Sequence, residues 1–314
     1  MKKYYPEGML YETPENKKTI RSIDGLIEAI EINRIVEAYA VICDNEHNLI
    51  VDLPCIKGVI YRNDGAIGID DGSTRDIALI SRVSKPVCFK VLRIETDESG
   101  NPSVAVLSRK AAQIECYENY ISNITKGDII QARITHIEQF GCFVDIGCGI
   151  PSMIPIDAIS ISRIAHPMDR FHISQDIKAV VSSIENEKKY PRINLTHKEL
   201  LGTWEENAAM FKAGQTVAGI VRSVESYGVF IELAPNLAGL AEPKENVHVG
   251  QQASVYIKAL IPEKMKVKLI IVDVFDDDGR NKNIKYFINS NHIDYWEYTT
   301  KESGKTIESN FNSE

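Results

Sequence analysis

Gly127-Asp-Ile-Ile-Gln-Ala-Arg-Ile-Thr-His-Ile-Glu-Gln-Phe-Gly-Cys-Phe-Val-Asp-Ile146 returns later in the chain as Gly214-Gln-Thr-Val-Ala-Gly-Ile-Val-Arg-Ser-Val-Glu-Ser-Tyr-Gly-Val-Phe-Ile-Glu-Leu233. At one constant offset Glu138 meets Glu225, Gly141 meets Gly228 and Phe143 meets Phe230. The register holds through Ser152-Met-Ile-Pro155 against Gly239-Leu-Ala-Glu242, then shortens, so the earlier copy carries an extra loop around Ser162–Phe171. Self-similarity at a fixed period means repeated structural units. A weaker copy precedes both, in Ile35–Leu53, Gly58-Val-Ile-Tyr61, Val87–Ile94 and Ser103–Leu107.

Each copy reads as five short strands, in the last about Thr216–Val224, Val229–Leu233, Leu237–Ala241, Ala253–Leu260 and Lys266–Val272. Ala253, Val255, Ile257 and Ala259 alternate on one face, the mark of a half-buried strand. Gly141 and Gly228 permit a tight turn where a side chain would crowd the backbone. Five such strands in so short a span favour a closed barrel, because closure removes exposed edges. The expected fold class is therefore all-β dominated: tandem five-stranded closed barrels joined by short α-helices.

The division that follows is a lead-in with a short helix over 1–33, a degenerate barrel over 34–113 and a linker helix over 114–125. A barrel over 126–198, a linker helix over 199–212, a barrel over 213–275 and an aromatic tail over 276–314 complete it. Ser22 is the N-cap of a helix over Ile23–Ile30, and Met1–Arg21 reads as partly ordered. Ile114, Tyr117, Ile121 and Ile124 form one apolar stripe, repeated as Leu201, Trp204, Ala208 and Phe211, so Trp204 reads as core. The tail carries Tyr286, Phe287, Tyr295, Trp296 and Tyr298; it is expected to fold back as a hairpin, with its last ten or so residues frayed.

Period two then sorts the faces. Cys142, Val144 and Ile146 point one way, as do Val229, Ile231 and Leu233, and these apolar sets must fill the barrels. Phe143 shares the opposite face with Asp145, and Phe230 shares it with Glu232, so both rings face outward. Phe140 and Tyr227, at the turns, reach the same outer surface. An outward ring suits a nucleobase, which stacks for about 1–3 kcal/mol; it also suits cover for a neighbouring helix or barrel. The duplication of the pair favours binding.

Basic residues gather nearby: Lys188, Lys189, Arg192 and Lys198 against Glu187 alone, and Lys258, Lys264, Lys266 and Lys268 against Glu263 alone. Arg192 and Lys266 open the fifth strands, where they are placed to contact phosphate. The expected RNA-binding set is Phe140, Phe143, Lys188, Arg192, Tyr227, Phe230, Lys266 and Lys268. The first copy has His47 and Ile50 at the aromatic positions, with Ile50 outward beside Asp52; it cannot stack, and protein contact or spacing is its expected use.

The patterns Phe140-Gly-Cys-Phe143 and Tyr227-Gly-Val-Phe230, and the fifth-strand run Arg192-Ile-Asn-Leu-Thr-His-Lys198, resemble the S1 RNA-binding domain, an OB-fold barrel. Leu195-Thr-His-Lys-Glu-Leu-Leu-Gly-Thr-Trp204 is similar to the strand-to-linker junction of the bacterial ribosomal protein S1 family. The resemblance covers residues 125–274 strongly and 34–113 weakly. It implies binding of single-stranded RNA, including mRNA, on or near the small ribosomal subunit, with degenerate N-terminal domains used for protein docking. It places the family's aromatic pair on Phe140 and Phe143 and on Tyr227 and Phe230, and its fifth-strand base on Arg192 and Lys266. The family histidine is replaced by Pro155 and Glu242, and its usual acid before the fifth-strand base by Lys188.

Composition bounds the alternatives. The chain has 314 residues and a formal net charge of −8, 44% hydrophobic and 25% charged, an ordinary globular composition spanning two or three domains. It is not basic throughout, so local strips must carry any nucleic-acid contact. Val267–Phe275, one of the longest apolar runs, is interrupted by Lys268 and Asp273, well short of the ~18 residues of a spanning helix. Tyr4-Tyr5-Pro6-Glu7 stands where a secretory core would be, and a cytoplasmic protein without membrane contact is expected. The six cysteines form no Cys-x-x-Cys pair and read as reduced thiols, with no metal or cofactor. No P-loop, Gly-x-Ser-x-Gly elbow or deaminase set is present; Asp276-Asp277-Asp278 reads as a solvated turn, and no enzyme is expected. The rival reading is a protein adaptor docking on the ribosome or RNA polymerase, or an accessory factor in RNA turnover.

Overall fold

The computed structural model describes residues 3–185, 190–276 and 284–312. The first barrel comprises β1 (Ile35–Cys43), β2 (Leu49–Asp52), β3 (Lys57–Ile60), β4 (Lys85–Thr96) and β5 (Pro102–Ser108). The second comprises β6 (Ile129–Glu138), β7 (Gly141–Asp145), β8 (Pro151–Pro155), β9 (Asp176–Glu185) and β10 (Arg192–Thr196). The third comprises β11 (Thr216–Glu225), β12 (Gly228–Ala234), β13 (Leu237–Ala241), β14 (Gln252–Ile261) and β15 (Lys266–Phe275). All three are closed, with one topology: each first strand pairs antiparallel with the second and fourth, and the third closes parallel on the fifth.

The interiors hold the expected apolar sets. Cys142, Val144 and Ile146 are fully buried in the middle barrel, and Val229 and Ile231 in the last, whereas Leu233 is half-buried. The glycines opening β7 and β12 have a different reason from turn geometry. A Cβ on Gly141 would lie 2.4 Å from the Ile154 carbonyl oxygen, and one on Gly228 would lie 2.6 Å from that of Ala241. The neighbouring strand passes too close for any side chain.

The connecting elements differ from the sequence expectation. The linker helix expected over 114–125 starts earlier, as Arg109–Asn119, because Ser108 caps it by accepting a hydrogen bond from the Ala111 amide. It buries Arg109, Ala112, Gln113 and Cys116, and Ile121 lies in a separate 3-10 turn. Over 199–212 the only α-helix is Trp204–Ala208, preceded by a 3-10 turn at Lys198–Leu201. Trp204 is core, only 3% exposed.

The lead-in is ordered, not loose. Helices Pro14–Ile20 and Ile23–Glu31 are capped by Thr13 and Ser22, and the segment before them crosses between the first two barrels. There the Glu7 carboxylate receives Arg109 Nε and Nη2 at 2.6 and 3.0 Å, Arg82 Nη1 at 3.2 Å and the Cys88 amide at 3.1 Å. The Glu7 amide donates to Asp145 Oδ2 at 2.7 Å, and the Cys148 amide donates to the Tyr5 carbonyl. Although burial opposes it, the paired guanidinium groups hold the Glu7 carboxyl below its ordinary value. One strand away, Glu37 accepts the amides of Gly8, Leu10 and Tyr11 at 2.8–3.0 Å. Burial, then the Glu7 charge, still pushes its carboxyl up to about 7.

The middle and last barrels are joined by the extra loop of the middle copy. Arg170 in that loop places Nη1 and Nη2 at 2.7 and 2.6 Å from the two oxygens of Glu232, and Arg222 Nε donates to the same carboxylate at 2.8 Å. Asp169 completes the group at 3.0 Å from Arg222. Asp145 and Glu232 point away from their barrels as expected, yet both are buried by these neighbours instead of meeting solvent.

The tail seals the same junction. Its strands β16 (Tyr295–Glu297) and β17 (Glu308–Asn310) pair antiparallel as expected of a hairpin. Ile293, Trp296, Tyr298 and Phe311 are buried with the core of the last barrel, so the expected fraying of the final ten residues does not hold across this stretch. The tail also reaches the middle barrel: Ile293 donates to the Gly127 carbonyl, and Tyr286 Oη accepts the Lys178 amide.

The raised carboxyl of Glu37 sets a pH dependence. The native state keeps a proton that the unfolded chain has released, so this group lowers stability as pH rises from about 4.5 to about 7. Urea unfolding across that window is expected to show this loss, and Glu37→Gln to make it shallower; an unchanged slope contradicts the assignment.

Candidate nucleic-acid interface

Cross-strand pairing fixes what stands beside each outward ring. In the middle barrel the pairs run His136–Phe143, Phe143–Met153, Met153–Asn194 and Asn194–Ser183, one row across the outer face. In the last they run Ser223–Phe230, Phe230–Leu240, Leu240–Lys268 and Lys268–Ala259. Residues directly paired share a face, so each row is a contiguous surface.

Phe140 and Tyr227, at the β6–β7 and β11–β12 turns, are 56% and 65% exposed, and Phe143 and Phe230 are half-buried. In both barrels the two rings meet edge to face, with centroids 6.0 Å apart for Phe140 and Phe143 and 6.1 Å for Tyr227 and Phe230. Such an edge-to-face contact holds the two rings of each pair against one another. His136 lies beside Phe143 at 6.3 Å and an interplanar angle of 29°.

The basic residues divide. Arg192, Lys266 and Lys268 are exposed at the start of the fifth strands, Lys268 in the same row as Phe230. Lys188 lies outside the described residues. The structure brings together Phe140, Phe143 and Arg192 on one barrel, and Tyr227, Phe230, Lys266 and Lys268 on the other. The sequence reading missed His136 and Asn194, which enter only through the strand register; the signal for His136 was its position opposite Phe143.

The first barrel presents Ile42, Ile50 and Val59 in the corresponding row, so it offers no ring for stacking. Other histidines have structural duties. His197 is buried, bonds the Ile159 carbonyl through Nδ1, and has its pKa lowered to about 4 by burial. His166 caps the turn at Pro167–Asp169. Among the described residues no group of three or more His, Cys, Asp or Glu side chains is placed to hold a metal, and no helix is long and apolar enough to cross a membrane. Asp277 and Asp278 of the acidic run lie outside the described residues. The six cysteines are free thiols, four of them buried.

Residues 123–196 match the model of the S1 RNA binding domain, the segment that carries the middle barrel. That segment is similar to the S1 RNA binding domain. Small ribosomal subunit protein bS1 of Staphylococcus aureus is 29% identical over 199 residues, covering 58% of this chain and 50% of that protein. The bS1 protein of Rhizobium meliloti is 28% identical over 68% of this chain and 42% of its own, and the bS1 homolog of Bacillus subtilis 27% over 69% and 57%. The chain thus spans about half the length of the curated relatives it matches. A solved multidomain protein with nucleic acid binding domains from Streptococcus pneumoniae is 12% identical, with 76% of this chain and 73% of that one covered, at a TM-score of 0.25.

The facing of the rings is testable without a ligand. Phe140→Ala and Tyr227→Ala are expected to change unfolding free energy by no more than about 0.5 kcal/mol, as surface substitutions do. Trp204→Ala is expected to cost about 3–5 kcal/mol. Urea midpoints decide it: a large loss at Phe140 or Tyr227 means those rings are core.

Proposed function

We propose that this protein binds single-stranded RNA in the cytoplasm and acts in translation, with mRNA and the small ribosomal subunit as partners. The observation that carries this reading is the duplicated aromatic pair, Phe140 with Phe143 and Tyr227 with Phe230, held outward on two barrels of the same topology. Apolar rings left in water are unfavourable unless something stacks on them, and every base has a π-face. Cations flank each pair at the fifth strand, where the backbone of a stacked strand passes. The relatives named as small ribosomal subunit proteins point to the ribosome as the setting. No reaction is assigned: the site's chemistry is stacking and phosphate contact.

Phe143→Ala and Phe230→Ala are each expected to weaken binding of a labelled single strand by about 1–3 kcal/mol without unfolding the chain. The logarithm of the binding constant should fall with that of salt by about 0.7 per phosphate contact. Wild-type affinity in both variants, or an affinity indifferent to salt, contradicts the proposal; the latter is the behaviour of a dry protein interface.

A further inference from the structure

The two outer faces share a fold and an aromatic pair, but the groups beside the rings differ in kind. In the last barrel the row through Phe230 contains Leu240 and the exposed Lys268, with Lys266 adjacent. In the middle barrel the same positions hold Met153 and Asn194, with His136 on the other side of Phe143. An ammonium group is a donor-only point charge that favours phosphate; an amide and an imidazole also present acceptors, which tell one base edge from another.

Both of those groups are held in one orientation by a carboxylate. Asn194 Nδ2 donates to Glu185 Oε1 at 2.7 Å and to Ser183 Oγ at 3.0 Å. A carboxylate only accepts, so the amino group must face Glu185 and the carbonyl oxygen Oδ1 is turned away from it. His136 Nε2 lies 2.6 Å from Glu138 Oε1, which by the same logic places a proton on Nε2; in the tautomer whose one proton sits there, Nδ1 is an acceptor. Among the described residues nothing donates to either acceptor. In the last barrel Ser223 replaces His136 and Ile261 stands opposite Lys266, where Glu185 stands opposite Arg192.

We propose that the middle barrel selects bases carrying an exocyclic amino group, adenine, cytosine and guanine, against uracil, through the acceptors Asn194 Oδ1 and His136 Nδ1. This rests on the RNA-binding reading above and assigns the last barrel an unselective grip on the backbone. A base stacked on Phe143 lies beside His136, and its neighbour over the Met153 thioether lies beside Asn194. Adenine, cytosine and guanine supply an amino donor to each acceptor. Uracil turns carbonyl oxygens outward except at its single ring N–H, and a carbonyl facing an acceptor leaves both unpaired.

The test uses the full chain and labelled oligoadenylate, oligocytidylate and oligouridylate of about 12 nucleotides, within the reach of one such barrel. Adenylate and cytidylate are expected to bind about tenfold tighter than uridylate, the value of one or two net hydrogen bonds. Asn194→Ala with His136→Ala should bring the three affinities together by weakening the first two, with the salt dependence unchanged. Lys268→Ala should weaken all three alike and reduce that dependence. Equal binding of the three strands by the wild type, or a preference that survives the double substitution, overturns the proposal while leaving RNA binding intact. Failure of all three strands to bind, with the chain folded by circular dichroism, defeats the RNA-binding reading itself.

Discussion

A closed barrel of five short strands has one interior, and each strand can send only alternate side chains into it. Once Cys142, Val144 and Ile146 fill that space, Phe143 and Asp145 are committed to the outside; Val229 and Ile231 impose the same on Phe230 and Glu232. The rings and the carboxylates are therefore linked consequences of one packing decision. The ring at the start of each second strand is left half-buried on the outer face. The carboxylate two residues on is left for the neighbouring module, and the chain covers both carboxylates.

It does so by two different means. Asp145 is met by a backbone amide, that of Glu7, whose own carboxylate is neutralised by Arg109 and Arg82. Glu232 is met by two guanidinium groups from opposite sides of a junction. Removing charges from water costs several kcal/mol per ion, so such groups add little net stability; their geometry is demanding, which makes them good at fixing how two bodies meet. Buried pairs of this kind set the orientation of one barrel on the next, and with it the spacing of the aromatic faces.

The barrels were legible because their information is local: strand alternation, a glycine-bearing turn and a repeat that carried the reading from one copy to another. Trp204 was legible as core for the same reason, through its helical spacing. The junctions were not, since Glu7 and Arg109 are 102 positions apart and no pattern ties them. That is also why the helix at Arg109–Asn119 was placed late: its buried face includes Arg109 and Gln113, polar residues that serve the junction and break the apolar stripe. His136 was not legible as part of this face because its neighbours there, Phe143 and Glu138, matter only once a strand brings them to one side. Asn194 was hidden likewise, in a strand remarkable in sequence only for Arg192.

The tail that closes over the middle and last barrels has a consequence for synthesis. A chain made from its amino end completes its first two barrels before residues 284–312 have been made, so the apolar surface destined for Trp296, Tyr298 and Phe311 stays open until that stretch emerges. The seam between the middle and last barrels thus sets only after the barrels themselves have formed, and until then it stands bare to chaperones and proteases.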